Sequence, residues 1–380
     1  MKSVYINEDL EDIRAAVRAF VENEIAPNVD EYEAAGAVPR ELLTRMGELG
    51  FFGLRIPEKY GGIGLGHIAS VVFAEELGGC TSGGTAATII VHTDLASPYL
   101  TNFGSDEQKE RWLPGLASGE LITAIAVTEP DAGSDVAGIR TRARREGDGW
   151  LLNGSKMFIT NGGIADIVFV AARTGPEAGG SRGISIFAVE QGAEGFDSGR
   201  ALDKMGWRAA NTAELRFDDV WVPGDRLIGD EGRGFYHIME NFQNERLVIG
   251  GQGVGEAQKA LRLTIEYVKN RTAFGAPLWE KQAIRQRLTM RQAQVDAVRE
   301  FAYKAAWMTD QGVDSVREVS ELKALIGETV NRVLYDCVQF HGGMGYIRES
   351  AIERMFRDAR LGSIGGGATE VMLDYAAKRL

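Results

Sequence analysis

Cysteine and histidine are scarce in this chain. Among its 380 residues there are two cysteines, Cys80 and Cys337, and four histidines, all far apart along the sequence. A disulfide framework or a zinc site needs several such residues at short, regular spacing. The sequence therefore gives no reason to expect either one.

A basic block and a long apolar run are also missing. The formal net charge is −12, and an acidic chain without clustered lysine and arginine is a poor nucleic-acid binder. No apolar run is long enough for a membrane-spanning helix. The acidic N-terminus, with Glu8, Asp9 and Glu11, is unlike a signal or transit peptide. We therefore expect a soluble, cytoplasmic protein without a nucleic-acid or membrane partner.

The spacing of apolar residues changes twice along the chain and indicates three domains. In the first third, Leu10, Ile13 and Val17 recur at helical spacing, and Asn7 and Ser105 are predicted to cap helix starts. In the middle third, the alternating segment 139–145 and the apolar stretch 167–171 predict short strands. The last third is again helical in pattern. We predict a multidomain α+β protein with an N-terminal α-helical domain (1–120), a middle β-barrel or β-sandwich domain (121–228) and a C-terminal helical bundle domain (229–380).

The segment 124–135, AIAVTEPDAGSD, has features of a ligand-binding loop. It begins as a strand and breaks at Pro130, which cannot donate a ladder hydrogen bond. Small residues around Gly133 let backbone N–H groups approach a ligand closely, and Thr128 and Ser134 add hydroxyl groups. Composition alone favours an ordinary turn between two strands, because a single glycine-containing loop is a weak signal.

Two further glycine patterns allow structural predictions. Asn153-Gly154 is a dipeptide typical of a β-hairpin, so we predict a chain reversal there and a return strand over 156–160. The run 250–255, GGQGVG, lies in a helical pattern and does not match G-x-G-x-x-G. Close helix packing is therefore favoured over a Rossmann nucleotide site.

Several motifs in combination resemble the acyl-CoA dehydrogenase family. They are EPDAGSDVAGIRTRA, NGSKMFITNG, RTAFG and QFHGGMGY, which occur in the family's order. The resemblance covers nearly the whole chain and implies a helical domain, a β domain and a C-terminal four-helix bundle. It also implies FAD as cofactor, oxidation of an acyl-CoA thioester to the trans-2-enoyl-CoA in fatty acid metabolism, and transfer of electrons to electron-transfer flavoprotein. The implied assembly is a homotetramer, arranged as a dimer of dimers.

The resemblance also implies which residues bind FAD. The flavin ring would lie against the 124–135 segment and Phe158, which replaces the commoner tryptophan and still offers an aromatic face. Thr128 and Thr160 would hydrogen-bond the polar edge of the ring. Arg271 and the glycine turn of QFHGGMGY would hold the adenine and pyrophosphate half, in part from a neighbouring subunit. The full implied set is Ile125, Val127, Thr128, Gly133, Ser134, Phe158, Ile159, Thr160, Arg271, Phe274, Gln282, Gln339, Phe340, Gly342, Gly343, Ala368 and Glu370.

The catalytic base is implied by a departure from the commoner family pattern. The usual C-terminal glutamate is replaced by Gly366, which cannot take a proton. Glu245 falls where the isovaleryl and long-chain branches of the family place their base, and those branches also have a small residue at the Gly366 position. We therefore predict that Glu245 removes the α-proton while flavin N5 accepts the hydride. The Gly366 N–H would bind the thioester oxygen, and Arg246 and Ser134 would contact substrate.

Three alternatives stay open at this point. Glu245 could lie on a solvated helix face and pair with Arg246. The same fold could act on an acyl group tethered to a carrier protein. A flavin-binding protein could also have lost catalysis together with the carboxylate at position 366.

Overall fold

The N-terminal part of the chain is helical. In the computed structural model, which describes residues 3–175 and 180–380, seven α-helices precede the first strand. They are α1 (Glu8–Phe20), α2 (Val29–Ala35), α3 (Arg40–Glu48), α4 (His67–Gly78), α5 (Gly83–Ile90), α6 (Ser97–Phe103) and α7 (Asp106–Ser118). Asn7 caps α1 by accepting a hydrogen bond from the Leu10 N–H at 2.9 Å, and Ser105 forms a capping box with Gln108 at the start of α7. The predicted helix starts are therefore confirmed at both positions.

Eight strands follow and form one connected sheet. They are β1 (Thr123–Ala126), β2 (Arg142–Glu146), β3 (Gly149–Thr160), β4 (Ile167–Arg173), β5 (Ile184–Glu190), β6 (Phe196–Asp197), β7 (Thr212–Pro223) and β8 (Leu227–Ile228). Their order is β6-β7-β3-β2-β4-β5-β8, with β1 parallel to β4. The predicted change from helices to strands is confirmed, whereas the exact domain limits stay predictions.

The predicted hairpin at Asn153-Gly154 is wrong. Strand β3 runs unbroken through both residues, and the chain reverses earlier, at Gly147 (φ +61°) and Asp148. The Asn-Gly pair instead lies at an irregularity in the pairing with β7. There the Asn153 side chain exchanges two hydrogen bonds with Asp219, of 2.9 and 3.0 Å. Bulges and tight turns both need unusual backbone angles, so one dipeptide suits either.

The C-terminal part is helical, with one short hairpin. Its elements are α8 (Gly234–Asn270), β9 (Thr272–Ala273), β10 (Ala276–Pro277), α9 (Gln282–Asp310), α10 (Val316–His341), α11 (Ala351–Ala359) and α12 (Thr369–Ala377). The long helix α8 packs against α4, α9 and α10. No helix in the described part of the chain is long and apolar enough to cross a membrane.

The glycines of the 250–255 run let α8 approach its neighbours closely. A Cβ atom added at Gly251 would lie 2.6 Å from the Val71 carbonyl oxygen, and one at Gly255 would lie 1.8 Å from the Glu75 carbonyl oxygen, both on α4. Neither contact is possible for a real side chain. The predicted role in helix packing is therefore confirmed.

One hydrophobic cluster joins all three parts of the chain. It contains Tyr99 of α6, Phe169 of β4, and Val127 and Ala132 of the segment after β1. Phe242 of α8 packs against the same cluster. The loop predicted to bind a ligand and the helix that carries Glu245 are thus parts of one packed region.

The Gly255→Ala variant tests the close approach of α8 and α4. We expect it to lower the free energy of unfolding by about 3 kcal/mol, because the added methyl group forces the two helices apart. Urea unfolding followed by circular dichroism measures the change. The control is Gly362→Ala, whose added Cβ would lie 3.6 Å from Val330 at ordinary contact distance, and it should unfold like the wild type. Equal stability of the two variants would contradict the packing role.

Candidate active site

A buried ion pair holds the loop that follows β1. Lys156 of β3 is fully buried, and its Nζ donates hydrogen bonds to Glu129 Oε1 at 2.7 Å and to the Val127 carbonyl oxygen at 3.0 Å. Glu129 also accepts hydrogen bonds from the backbone N–H groups of Arg140 at 2.6 Å and Thr141 at 2.9 Å. The two carboxylate oxygens therefore connect the first residue of the EPDAGSD segment to the backbone at 140 and 141, beyond its end.

The pKa values of Lys156 and Glu129 are both lowered, but for different physical reasons. Burial lowers the pKa of Lys156 to about 8, although the neighbouring Glu129 opposes that change. Burial also disfavours the charged form of Glu129, but Lys156 and the hydrogen-bond donors outweigh it and keep the Glu129 pKa below its ordinary value. The pair therefore positions the loop, because the Lys156 side chain is buried and its hydrogen bonds go to the loop.

The start of the loop lies beside an exposed aromatic ring. The Thr128 carbonyl accepts a hydrogen bond from the Met157 N–H at 2.9 Å, which brings Thr128 next to Phe158. The Phe158 side chain is 63% exposed and its backbone has a φ of +60°. The hydroxyls of Thr128 and Thr160 make no hydrogen bond to another described residue. A flat group with a polar edge would cover the ring and meet these hydroxyls.

The other residues implied to contact the flavin ring differ in exposure. Gly133 and Ser134 are exposed, and a Cβ added at Gly133 would meet no atom within 4 Å. Ile125 is partly buried, whereas Val127 and Ile159 are buried in core clusters. A ligand at this place could therefore reach Val127 and Ile159 only through their backbone atoms.

Glu245 is buried on α8 and forms no ion pair with another residue of the ranges 3–175 and 180–380. Its side chain is 6% exposed, and its one hydrogen-bond partner among the described residues is Asn241, whose Nδ2 lies 3.5 Å from Oε1. The next residue, Arg246, directs its guanidinium over the rings of Phe242 and Tyr375, at 5.6 and 6.0 Å from their centroids. The alternative of a solvated face paired with Arg246 does not match this geometry.

Burial changes the acidity of Glu245. It raises the pKa of the carboxyl group to about 8, while the positive charge of Arg246 and the Asn241 amide act in the opposite direction. A carboxylate removed from water is destabilised in its charged form and so becomes a stronger base. A strongly perturbed acid beside a ligand-binding loop is a candidate catalytic group.

Gly366 lies opposite Ile249, one helical turn beyond Glu245. Its φ is +66°, and an added Cβ would lie 2.4 Å from Ile249 Cδ1. A side chain at position 366 would therefore displace the end of the Ile249 side chain and would hold a left-handed backbone, which favours glycine. Position 366 and the turn of α8 that follows Glu245 thus face each other.

Lys323 fixes the turn that contains Gly366. It is fully buried on α10, and its Nζ donates a short hydrogen bond to the Gly367 carbonyl oxygen. Burial lowers its pKa to about 8, Arg246 adds to that effect, and Glu370 opposes it. Ala368 precedes α12, and Glu370 is exposed in its first turn. Of the predicted residues near Gly366, Glu370 thus acts electrostatically on this buried cation.

The segments implied to hold the adenine half lie at one end of the C-terminal helices. Arg271 precedes the β9–β10 hairpin, and the turn Gly342–Gly345 follows α10. Tyr267 of α8 stacks on His341 with ring centroids 4.3 Å apart, and its hydroxyl donates to the His341 carbonyl at 3.3 Å. This contact brings the two segments together. These two segments pack against the hydrophobic core of the C-terminal helices. This core is a different cluster from the one that contains Tyr99 and Phe169 and that Phe242 contacts near Glu245.

These segments present unused binding groups. Phe274 is 97% exposed at the tip of the hairpin. In the described ranges, the side chains of Arg271, Gln282 and Gln339 have no hydrogen-bond or ion-pair partner. A Cβ added at Gly342 or Gly343 would meet nothing within 4 Å. Phe340 is partly buried. A free guanidinium beside open backbone suits a phosphate-containing ligand. Nowhere in the described ranges do metal-ligating side chains form a cluster.

Comparison with known proteins places this architecture in a family. The N-terminal, middle and C-terminal domains of acyl-CoA dehydrogenases match residues 7–120, 124–220 and 232–380. The chain therefore belongs to the acyl-CoA dehydrogenase family, a class of oxidoreductases, and the resemblance seen in its motifs is confirmed.

Individual relatives match over nearly the full length. The long-chain specific acyl-CoA dehydrogenase of Mus musculus is 40% identical over 97% of this chain and 85% of its own. The crystal structure of an acyl-CoA dehydrogenase from Geobacillus kaustophilus is 42% identical, with a TM-score of 0.96 over 100% of this chain and 99% of that one. A more distant structure, described as an FAD complex of PigA, is 28% identical with a TM-score of 0.94 over 98% of both chains.

Four groups in this region were not predicted from the sequence. Asn241 lies four residues before Glu245 and could have been found from helical spacing alone. Tyr99, Lys323 and the Glu129–Lys156 pair come from separate segments. No local pattern links those segments, and only the tertiary structure brings them to the site.

Lys156→Met tests the buried pair. We expect a loss of about 3–5 kcal/mol in the free energy of unfolding, because Glu129 would be left buried without its cation. Adding Glu129→Gln to the same chain should restore part of the loss. Lys59→Met is the control, since Lys59 is exposed and lies 3.6 Å from Glu110, so this variant should unfold close to the wild type. Similar losses in the two single variants, measured by urea unfolding, would contradict a special role for Lys156.

Proposed function

We propose that this chain is an FAD-dependent acyl-CoA dehydrogenase that uses Glu245 as its base. It would convert an acyl-CoA thioester to the trans-2-enoyl-CoA in fatty acid metabolism. The observation that carries the proposal is a buried carboxylate that forms no ion pair with a described residue, one helical turn before the Ile249 side chain that faces Gly366. The family's chemistry requires a base, and Glu245 is suited to supply it.

FAD fits the groups that the chain leaves unused. Phe158, Thr128 and Thr160 would contact the ring, and Arg271 with the Gly342–Gly345 turn would hold the phosphates and adenine. Ala368 and Glu370 would complete the set from the start of α12. Bound FAD would supply a two-electron acceptor whose N5 takes the hydride from the β-carbon of the acyl group. The distant relative described with FAD supports this choice.

Glu245 would remove the proton from the α-carbon. Its burial makes the carboxylate a stronger base than an exposed glutamate and excludes most water from the reacting atoms. The lack of an ion pair with Arg246 keeps the carboxylate free to accept that proton. Arg246, stacked between Phe242 and Tyr375, would shape the substrate-binding wall.

The turn at Gly366 would stabilise the charge that develops on the thioester oxygen. Its backbone N–H is the proposed donor, and a fixed donor is effective because it needs no reorganisation during reaction. Lys323 holds the next carbonyl, that of Gly367, and so fixes the direction of this turn. Ser134, exposed on the loop after β1, would contact the pantetheine arm of CoA.

The partners and assembly are part of the same proposal. The exposed Phe274 and unpaired Arg271 suit a site completed by a neighbouring subunit, as the homotetramer implied by the motifs requires. Electrons would pass to electron-transfer flavoprotein. A cytoplasmic location remains the expectation from the sequence.

Glu245→Gln tests the assignment of the base. We expect this variant to retain FAD but to show at least about a thousandfold slower anaerobic bleaching of the flavin by acyl-CoA, because an amide cannot accept the α-proton. Glu240→Gln is the matched control, since Glu240 lies on the same helix and is exposed. Bleaching of Glu245→Gln at the wild-type rate would move the base elsewhere. Bleaching of the wild type only by a carrier-protein thioester would replace CoA as the substrate carrier.

The pH dependence of flavin reduction gives a second test. The deprotonated form of Glu245 is active, so kcat/KM should rise with pH through a limb near pH 8 and fall about tenfold per pH unit below it. The measurement is stopped-flow reduction with acyl-CoA between pH 5.5 and about 9.5. A rate constant that stays level down to pH 5.5, as expected for a glutamate with its ordinary pKa of about 4.3, would contradict a buried base.

A further inference from the structure

We propose that Asn241 is a positioning residue for Glu245, whose amide orients the carboxylate and favours its charged form. The inference rests on the proposed role of Glu245 as the base. It adds a residue for which the family motifs gave no indication.

The geometry around Asn241 fixes the direction of its amide. The side chain is 2% exposed, and Nδ2 donates a hydrogen bond to the Leu95 carbonyl oxygen at 2.8 Å. The same Nδ2 faces Glu245 Oε1 at 3.5 Å. A flipped amide would turn Oδ1 toward two acceptors, the Leu95 carbonyl and the Glu245 carboxylate. The orientation that donates to Glu245 is therefore the stable one.

The other polar groups near Glu245 do not donate to it. Arg246, on the same helix, stacks on aromatic rings, and Lys323 of α10 donates to Gly367. Tyr99 of α6 is fully buried, and its hydroxyl makes no hydrogen bond of good geometry in the described ranges; burial and the charge of Glu245 raise its pKa, whereas the Asn241 side chain opposes the rise. Asp94, with Arg55 at 3.9 Å, is bound to Asn244 instead.

A donor to the carboxylate stabilises its charged form. Such a donor lowers the pKa of a buried acid relative to burial alone. Asn241 would therefore keep a fraction of the Glu245 carboxyl groups ionised at physiological pH. Because the hydrogen bond to Leu95 holds the Asn241 amide in place, the carboxylate has a fixed donor and does not move with it. The long 3.5 Å distance is compatible with this role, since catalytic hydrogen bonds often shorten only when substrate binds.

Asn244 provides a closely matched control. It is 4% exposed on the same helix, adjacent to Glu245 in sequence, and its Nδ2 donates to the Asp94 carbonyl oxygen at 2.7 Å. Asn241 and Asn244 thus tie α8 to the same segment with the same kind of bond. They differ in the carboxylate oxygen that lies 3.5 Å from Nδ2, which is that of Glu245 for Asn241 and that of Asp94 for Asn244.

The experiment compares Asn241→Leu with Asn244→Leu in the FAD-loaded protein. The titration of the Glu245 carboxyl group is followed by infrared difference spectroscopy, assigned by its loss in Glu245→Gln, and kcat/KM for anaerobic bleaching is measured over the same pH range. We expect Asn241→Leu to move both the titration and the kinetic limb upward by about one pH unit. Asn244→Leu should leave both at their wild-type positions.

The outcomes separate this inference from the proposed function. An unchanged titration in Asn241→Leu, or an equal shift in Asn244→Leu, would overturn the role of Asn241. Wild-type bleaching by Glu245→Gln would overturn the base, whatever the titration shows. If Asn241→Leu fails to fold, Asn241→Asp keeps the side-chain shape, replaces the donor with a like charge and should also shift the titration upward. A downward or absent shift in that variant would again count against the inference.

Discussion

A carboxylate buried without an ion pair is the constraint on which the site depends. Glu245 has been removed from water, yet Arg246 is directed elsewhere and one long contact to Asn241 is its hydrogen bond among the described residues. Such a group is costly for stability, because desolvation disfavours its charge. The surrounding structure must therefore hold it in place, and the proposed role as a base gives a reason for its retention.

Helix α8 meets two demands along its length. Near its start it carries Asn241, Glu245 and Arg246 at the site, and its later glycines give the contact with α4 that fixes the helix. The separation is physical: side chains that react need space around them, whereas close helix packing needs side chains to be absent. A single helix can do both because the two requirements fall on different turns.

Local signals predicted much of the fold. The caps at Asn7 and Ser105 were readable because a side-chain hydrogen bond to the next turn depends on nearby residues alone. The packing role of the 250–255 glycines was readable from their helical context. The hairpin at Asn153-Gly154 was predicted wrongly, since pairing with β7 and the bonds to Asp219 decide that conformation from a distance.

The sequence by itself determined the family, the order of helices and strands, and the identity of Glu245 as the candidate base. These depend on motifs and on residue types at fixed positions. Only the tertiary structure decided that Glu245 is buried, that Ile249 faces position 366, and that Lys323 binds the turn containing Gly366 while Lys156 binds the loop after β1. Burial and contact between distant segments arise from packing, which no short stretch of sequence encodes.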